Sequence, residues 1–289
     1  MDAAFRRFAE SCPDSIIVTD ARGTVAFVNR AFERLSGYRR KEIVGRPASL
    51  LKSGVHSHDF YRRLWRTIVR GGEFRAVFTN RRKDGRRYCE ERIVRPLDGD
   101  RRHFISYGRD ATERAREERK LRHAATHDPL TDLPNRTLFF DRLQQALRQA
   151  VRRNEALTVV MLDIDDFRQA NTRFGHAGGD ALLKAVGGRT AKCLRQSDTV
   201  ARLGGDEFAL LLAGAGREEA ALVLSKIILV NAQPIRYGKK SIAVTVSAGA
   251  SCYPEDALRE APLLKLADLA MYRAKRSGGN RYVFASGGR

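Results

Sequence analysis

The sequence predicts an α+β protein of two domains, and three observations carry that expectation. The chain has 289 residues, more than one hydrophobic core usually serves. A charged stretch free of Gly and Pro, Asp110 to His127, divides it. Beyond that stretch, helical and strand-like patterns alternate. Boundaries are therefore drawn at 1–109, 110–127 and 128–289.

The dividing stretch holds Glu113, Arg114, Arg116, Glu117, Glu118, Arg119 and Lys120, which reads as an exposed connecting helix. Ala111, Ala115, Leu121 and Ala125 give it only a thin apolar seam, so its own coiled-coil signal is weak. Asp128-Pro129 and Leu133-Pro134-Asn135 then punctuate the chain before a helical pattern from Thr137 to Val151. Leu157 to Leu162 is a continuous apolar run, the mark of a buried strand, and it leads directly into Asp163-Ile164-Asp165-Asp166. Thr199 to Leu203 and Glu207 to Leu212 read as two strands joined by a tight hairpin at Gly204-Gly205-Asp206. Helical patterns at Asp180 to Leu194, Glu218 to Val230 and Pro262 to Arg276 alternate with strands at Ile242 to Ser247 and Arg281 to Phe284.

Composition narrows the setting. Cys12, Cys89, Cys193 and Cys252 stand far apart with no Cys-x-x-Cys pair, which argues against a disulfide framework or a zinc site and for a reducing cytosol. Met1 to Ser15 lacks a long apolar core, and the run Ala220 to Val230 is broken by Lys226. Neither a signal peptide nor a membrane span is expected, and the location is expected to be cytoplasmic. The net charge of +20 divides as +11 over residues 1–110 (25 basic, 14 acidic) and +9 over the remainder (29 basic, 20 acidic). A spread excess of this kind reads as solvated basic faces. With no recognition-helix motif and no aromatic-basic platform, a nucleic-acid partner is not expected.

Carboxylates at strand ends beside glycine turns suit magnesium, which takes a few carboxylates plus substrate phosphates, and Asp163 with Asp206 is the best pair. Gly-Gly-Asp alone is more often an ordinary hairpin turn. Here it stands inside Arg202-Leu203-Gly204-Gly205-Asp206-Glu207-Phe208, downstream of Asp163-Ile164-Asp165-Asp166-Phe167-Arg168 and of the segment Asn171 to Asp180. In that order and spacing the motifs resemble those of GGDEF-family diguanylate cyclases, over about residues 120–285.

The resemblance implies a palm-like α/β fold similar to adenylyl cyclase, and a homodimer in which two domains face each other, each holding one GTP. The implied reaction yields cyclic di-GMP and two pyrophosphates. Two Mg²⁺ ions per active site would sit on Asp163, the Ile164 carbonyl and Asp206, supported by Glu207, with Asp206 also accepting the 3′-hydroxyl proton. Gly204 and Gly205 would let the turn backbone approach phosphate. Asn171 and Asp180 are expected to read guanine, because a carboxylate accepts from N1–H and the 2-amino group as adenine cannot reciprocate. Without the motif, Asp180 reads equally as the N-cap of the helix that follows it. His176 is implied as a substrate contact, and Arg168 stands where the family often has a Lys that stabilises the transition state. Lys275 is implied near the triphosphate. The chain departs from the family at Gly278-Gly279-Asn280, where Gly-Arg-Asn is common; one phosphate-binding cation is absent, and Arg281 is the candidate to replace it. Arg195 and Asp198 match the family's Arg-x-x-Asp site, which implies inhibition by the product.

Residues 10–110 resemble a PAS domain through Ile16 to Asp20, Gly23, Val25 to Asn29, Ser36-Gly37-Tyr38, Gly45, Asn80 to Gly85 and Pro96-Leu97. The implied fold is a five-stranded antiparallel sheet with flanking helices around a ligand pocket. Leu51 to Gly54 and Asn80 to Gly85 resemble flavin-binding sensors, but those tend to carry Trp where this chain has Phe74, which leaves FAD and an empty pocket equally open. His56 and His58 lie in a polar loop and read as solvated rather than as haem ligands. Two other function classes compete with the cyclase: a silent receptor that only binds cyclic di-GMP, and a basic nucleic-acid-binding regulator.

Overall fold

The structure, a computed structural model, describes residues 3–97, 100–238 and 240–285. The chain separates into two compact units, Met1–Lys120 and Leu121–Arg289.

The first unit opens with α1 (Ala3–Ser11), β1 (Ser15–Asp20), β2 (Val25–Val28), α2 (Arg30–Ser36), α3 (Arg40–Ile43) and a short 3₁₀ turn at Ala48–Leu51. It continues with α4 (His58–Val69), β3 (Phe74–Arg81), β4 (Arg87–Leu97) and β5 (Asp100–Asp110). The strands make one antiparallel five-stranded sheet in the order β2-β1-β5-β4-β3, as the PAS resemblance implied. Alternation along β1 divides its burial: Ile16 and Val18 pack with Ala9 of α1, while Ile17 packs with Phe32 and Ile43 on the other face. Asn29 locks this corner. It is wholly buried and caps α2; its Oδ1 accepts from Phe32 N and Ile16 N, and its Nδ2 donates to Ala9 O and Asp14 O, each at 2.9 Å. His56 differs from the sequence reading. It is half-buried rather than solvated, stacks on Phe60 at 4.1 Å, and its Nε2 accepts from Thr79 N at 2.8 Å.

Helix α5 (Thr112–Thr126) carries an almost wholly exposed sequence and leads into the second unit. There α6 (Arg136–Arg153), β6 (Leu157–Ile164), α7 (Phe167–Ala191), β7 (Thr199–Gly204), β8 (Glu207–Ala213) and α8 (Arg217–Asn231) follow in order. A small hairpin of β9 (Ile235–Tyr237) and β10 (Lys240–Ile242) precedes β11 (Val246–Tyr253), α9 (Glu260–Arg276) and β12 (Tyr282–Phe284). The main sheet runs β12-β11-β6-β8-β7, antiparallel except for the β11–β12 pair. Strand β6 is buried on both faces, which is why its sequence is an unbroken apolar run. Leu157, Val159 and Met161 meet α6 and α9, and Val160, Leu162 and Ile164 meet α7 and α8. Among the described residues, no helix is long and apolar enough to cross a membrane.

Two further sequence expectations need correction. The strand expected at Ile242 to Ser247 is split: Ile242 ends the small hairpin, and the sheet strand is Val246–Tyr253. Its centre, Ala248-Gly249-Ala250, is small because α9 lies directly on it. A Cβ at Gly249 would stand 2.0 Å from Met271 N and 2.1 Å from Ala267 O, so only glycine fits. Asp180 does not cap a helix; it lies inside α7, which begins at Phe167, breaks at Gly175 (φ 73°, ψ 172°) and continues to Ala191.

Candidate active site

Strand pairing brings the acidic residues together. Asp163, next to last in β6, is registered opposite Glu207, the first residue of β8, and this sets Asp163 beside the turn that ends in Asp206. The turn itself needs its glycines: Gly204 has φ 153° and Gly205 φ 50°, and both are exposed. On the inner side Phe208 is wholly buried and anchors the signature in the core.

Asp163 is 7% exposed. Lys275 Nζ, from the last turn of α9, lies 2.6 Å from its Oδ1, an ion pair without hydrogen-bond geometry, so that buried oxygen has no hydrogen-bond partner. Burial pushes the Asp163 carboxyl up to about 6; the negative charges of Asp206 and Glu207 push the same way, and Lys275 opposes them. Lys275 is thus a partner of Asp163 as well as a candidate triphosphate contact.

Three supporting residues escaped the sequence reading. Arg202 donates Nε and NH2 to Gly205 O (3.0 and 2.7 Å), gripping the turn, and gives NH1 to the carboxylate of Asp128. Asp165 accepts from Thr245 Oγ1 (2.6 Å), Ser247 Oγ (2.7 Å) and Asn280 N (2.9 Å), which fastens the loop after α9 to the ends of β6 and β11. That loop explains the departure at Gly279. Its φ is 69°, and a Cβ there would stand 2.8 Å from Asp165 Oδ2. Arg281, the candidate replacement cation, has its Nε bonded to Gly279 O at 3.1 Å.

Asn171, His176 and Asp180 all lie on α7, the first before the Gly175 break and the others after it. Asn171 is pressed against the following turn: a Cβ at Gly179 would fall 1.8 Å from its Oδ1. This sets the Asn171 amide next to the residue preceding Asp180. His176, Asp180 and Arg168 are exposed. Arg195 and Asp198 lie elsewhere, just before β7, with five residues of that strand, 199–203, between Asp198 and the turn, so that Asp198 to Gly204 spans about 20 Å at 3.3 Å per residue. The Asp198 carboxylate accepts from Arg195 N (2.9 Å) and Ala213 N (3.3 Å).

Among the described residues no group of three or more His, Cys, Asp or Glu stands close enough to hold a metal by itself. The donor set nevertheless fits a divalent cation that takes part of its shell from substrate. The Asp163 carboxylate is buried, has the negative charges of Asp206 and Glu207 nearby, and has Lys275 as its counter-charge.

A PAS-type sheet unit followed by a GGDEF-type unit, with a Gly-Gly-Asp turn beside a buried strand-end carboxylate, defines the class. The family profile "Diguanylate cyclase, GGDEF domain" matches residues 125–281 and the profile "PAS fold" residues 3–111. The chain belongs to the GGDEF diguanylate cyclase family, with an N-terminal PAS domain.

Among curated relatives, the bifunctional diguanylate cyclase/cyclic di-GMP phosphodiesterase MucR of Pseudomonas aeruginosa is 41% identical over 174 residues, 60% of this chain and 25% of MucR. Diguanylate cyclase TpbB of the same species is 46% identical over 162 residues, 55% of this chain and 37% of TpbB. The solved GGDEF domain of TpbB superposes with a TM-score of 0.54 at 44% identity, covering 55% of this chain and 94% of that one. The coiled coil and GGDEF domain of DgcB from Caulobacter crescentus, solved in complex with c-di-GMP, gives a TM-score of 0.55 at 31% identity, covering 60% and 93%. The chain spans about a quarter to two fifths of the length of the curated relatives it matches.

Proposed function

We propose that this chain condenses two GTP molecules into cyclic di-GMP and two pyrophosphates. The observation that carries the reading is the intact Gly204-Gly205-Asp206-Glu207-Phe208 turn registered beside buried Asp163 in a GGDEF-family domain.

Attack of a 3′-hydroxyl on an α-phosphate needs a proton acceptor, a neutralised triphosphate and in-line placement of two reactants. Asp206 accepts the hydroxyl proton. Asp163, the Ile164 carbonyl and Asp206, supported by Glu207, would hold two Mg²⁺, which would supply charge neutralisation on the phosphates. Gly204 and Gly205 admit the phosphates to the backbone, and Arg168 and Lys275 add positive charge. Asn171 and Asp180 take the guanine edge with His176 as a further contact, and adenine would leave these polar groups unpaired. Each domain binds one substrate, so the reaction requires a homodimer. Arg195 and Asp198 form the product-inhibitory site, and residues 110–127 link a sensor (1–109) to a cyclase (128–289). The proposed location is the cytoplasm, and the proposed occupant of the PAS cavity is FAD.

The test is to incubate the protein with Mg²⁺ and GTP or ATP and to separate the products by chromatography. A cyclic dinucleotide should form from GTP alone. Asp206→Ala should abolish turnover with folding intact, since the turn carboxylate is only half-buried; full activity in that variant would sink the mechanism. The second reading, a receptor that binds cyclic di-GMP without making it, is favoured by the missing cation at Gly279. It predicts product binding with no turnover in the same assay.

A further inference from the structure

Helix α4 is fixed to the sheet of the first unit by Leu64 and Ile68, which are buried with Phe78, Val94 and Phe104. The opposite face of such a helix is ordinarily charged and polar, with apolar side chains confined to the packed stripe. Here it is not. Trp65 and Val69, one turn apart, are 36% and 52% exposed and form an apolar row beside the packed one. The indole still touches the core edge-on through Phe104, with 5.8 Å between ring centres, so its place at the surface is held by packing.

The next row is basic. Arg62, Arg66 and Arg70 are exposed and also one turn apart, which sets Arg62 three residues from Trp65 and Arg66 three residues from Val69. Asp59 is the helix's one acidic residue, and it is paired with Arg62. Arg66 and Arg70 form no ion pair among the described residues. The face therefore combines two exposed apolar side chains with an excess of guanidinium charge.

That combination fits a partner that is anionic at its surface and apolar just beneath it. The interface of an anionic bilayer has this layering: indoles settle at headgroup depth, and basic side chains are drawn to the lipid phosphates. Nucleic acid would use the arginines but would gain nothing from Val69, since its binding rests on phosphate contacts and aromatic stacking. A second copy of the chain fits worse, because a two-fold contact through this face sets arginine against arginine.

We propose that the outer face of α4 docks on an anionic lipid surface, with Trp65 and Val69 at headgroup depth and Arg62, Arg66 and Arg70 on lipid phosphates. The docking is peripheral and reversible, because Leu64 and Ile68 hold the other face to the sheet and only two apolar side chains reach the bilayer. It goes beyond the proposed synthesis of cyclic di-GMP and uses none of the residues assigned to it.

The full chain is floated with vesicles of phosphatidylcholine alone and with vesicles in which about one-third of the lipid is phosphatidylglycerol. Binding is expected to the anionic vesicles only and to weaken as salt is raised. Trp65 is the chain's sole tryptophan, so its emission should shift to the blue on binding. Each arginine at an anionic surface is worth about fivefold in affinity, so Arg62→Gln/Arg66→Gln/Arg70→Gln should weaken binding by about a hundredfold. Arg148→Gln/Arg152→Gln/Arg153→Gln removes the same charge from exposed positions of α6 and should weaken it by less than about tenfold. Val69→Ser keeps every arginine and should weaken binding by about threefold, and a thermal melt of each variant checks that it is folded. Equal weakening by the two triple variants would reduce the effect to net charge and overturn the proposal. No binding to the anionic vesicles, an unshifted Trp65 emission or indifference to Val69→Ser would overturn it as well. Duplex DNA bound more tightly than the vesicles, with the same arginine dependence and none on Val69, would give the face to nucleic acid instead.

Discussion

Arg202 ties the signature turn to Asp128. One face of its guanidinium fork bonds Gly205 O, and NH1 reaches both oxygens of the Asp128 carboxylate at 3.0 and 3.1 Å. The two side chains are 13% and 17% exposed, so this is not a screened surface pair. Asp128 also accepts from Thr131 N and Oγ1, and Arg202 N donates to Pro134 O at 2.9 Å. The segment that follows α5 and the Gly204-Gly205-Asp206 turn are therefore one hydrogen-bonded unit, and a shift of the former has a direct route to the latter.

Arg202→Lys should consequently lower the rate of cyclic di-GMP formation more than it lowers stability. Lysine keeps the charge but cannot bond the turn carbonyl and the carboxylate together. The expected loss of stability is about 2 kcal/mol, from hydrogen bonds to charged groups, with a rate loss of about tenfold or more. Initial rates and a thermal melt on one preparation check this. An unchanged rate beside a lowered melting temperature would reduce the relay to a structural brace.

The same pair has a signature in acid. Burial works against ionisation of Asp128, but the bonds from Thr131 and Arg202 prevail and hold its carboxyl below the ordinary 3.8. A depressed folded pKa means the unfolded chain binds more protons, so this stabilisation is present above 3.8 and is lost as pH falls toward the depressed value. Asp128→Asn should flatten the acid side of the stability curve in that window; a curve parallel to wild type would contradict the assignment.

Asp163 has the opposite sign. Its folded pKa of about 6 exceeds the ordinary 3.8, so the folded state binds the extra proton, and stability falls as pH rises between those values. Above that window a buried carboxylate remains charged at a cost of up to about 3 kcal/mol by the standard conversion. Asp163→Asn should thus raise the melting temperature of the metal-free protein at neutral pH while abolishing turnover. Added Mg²⁺ with GTP should stabilise the wild type and not the variant. A variant less stable than wild type without metal would show that the Lys275 pair outweighs burial.

The candidate site was legible because its residues stand in short contiguous runs, 163–166 and 202–208, the first of them ending a strand whose two-faced burial writes itself as an unbroken apolar run. What it hid depends on distant partners. Arg202 and Asp128 are 74 residues apart, and Asp165 meets Ser247 and Asn280 across 82 and 115. Strand β11 was misplaced because its residues are small rather than β-branched, and their burial comes from α9 resting at backbone distance on Gly249. The early start of α7 was missed for a local reason: Gly175 breaks the helical period between Asn171 and Asp180.

That break makes Gly179 a positioning residue for Asn171, a proposed guanine contact. Gly179→Ala would thrust a methyl to 1.8 Å from Asn171 Oδ1, so the amide must swing away. The expected outcome is a raised KM for GTP, by about tenfold, and reduced preference for GTP over ATP, with Asp163 and Asp206 untouched. Unaltered KM and selectivity would mean that Asn171 does not contact the base.

The proposed product-inhibitory pair offers the last test, and the structure distinguishes its two residues. An Arg can bond phosphate and guanine edges in pairs and an Asp can accept from guanine N–H groups, so Arg195 and Asp198 could grip both ends of a guanylate. Yet Asp198 already caps its own turn, accepting from Arg195 N and Ala213 N, whereas the Arg195 side chain makes no bond among the described residues. Arg195→Ala should therefore relieve inhibition by added cyclic di-GMP at unchanged stability. Asp198→Ala should relieve it too, but with a loss of about 1 to 2 kcal/mol from the unpaired backbone amides. Because the proposed site lies the length of β7 from the turn, inhibition should be non-competitive with GTP, lowering kcat and sparing KM. Wild-type initial rates that stay constant as cyclic di-GMP is raised to high micromolar concentration would remove this site, and competitive kinetics would move it to the substrate pocket.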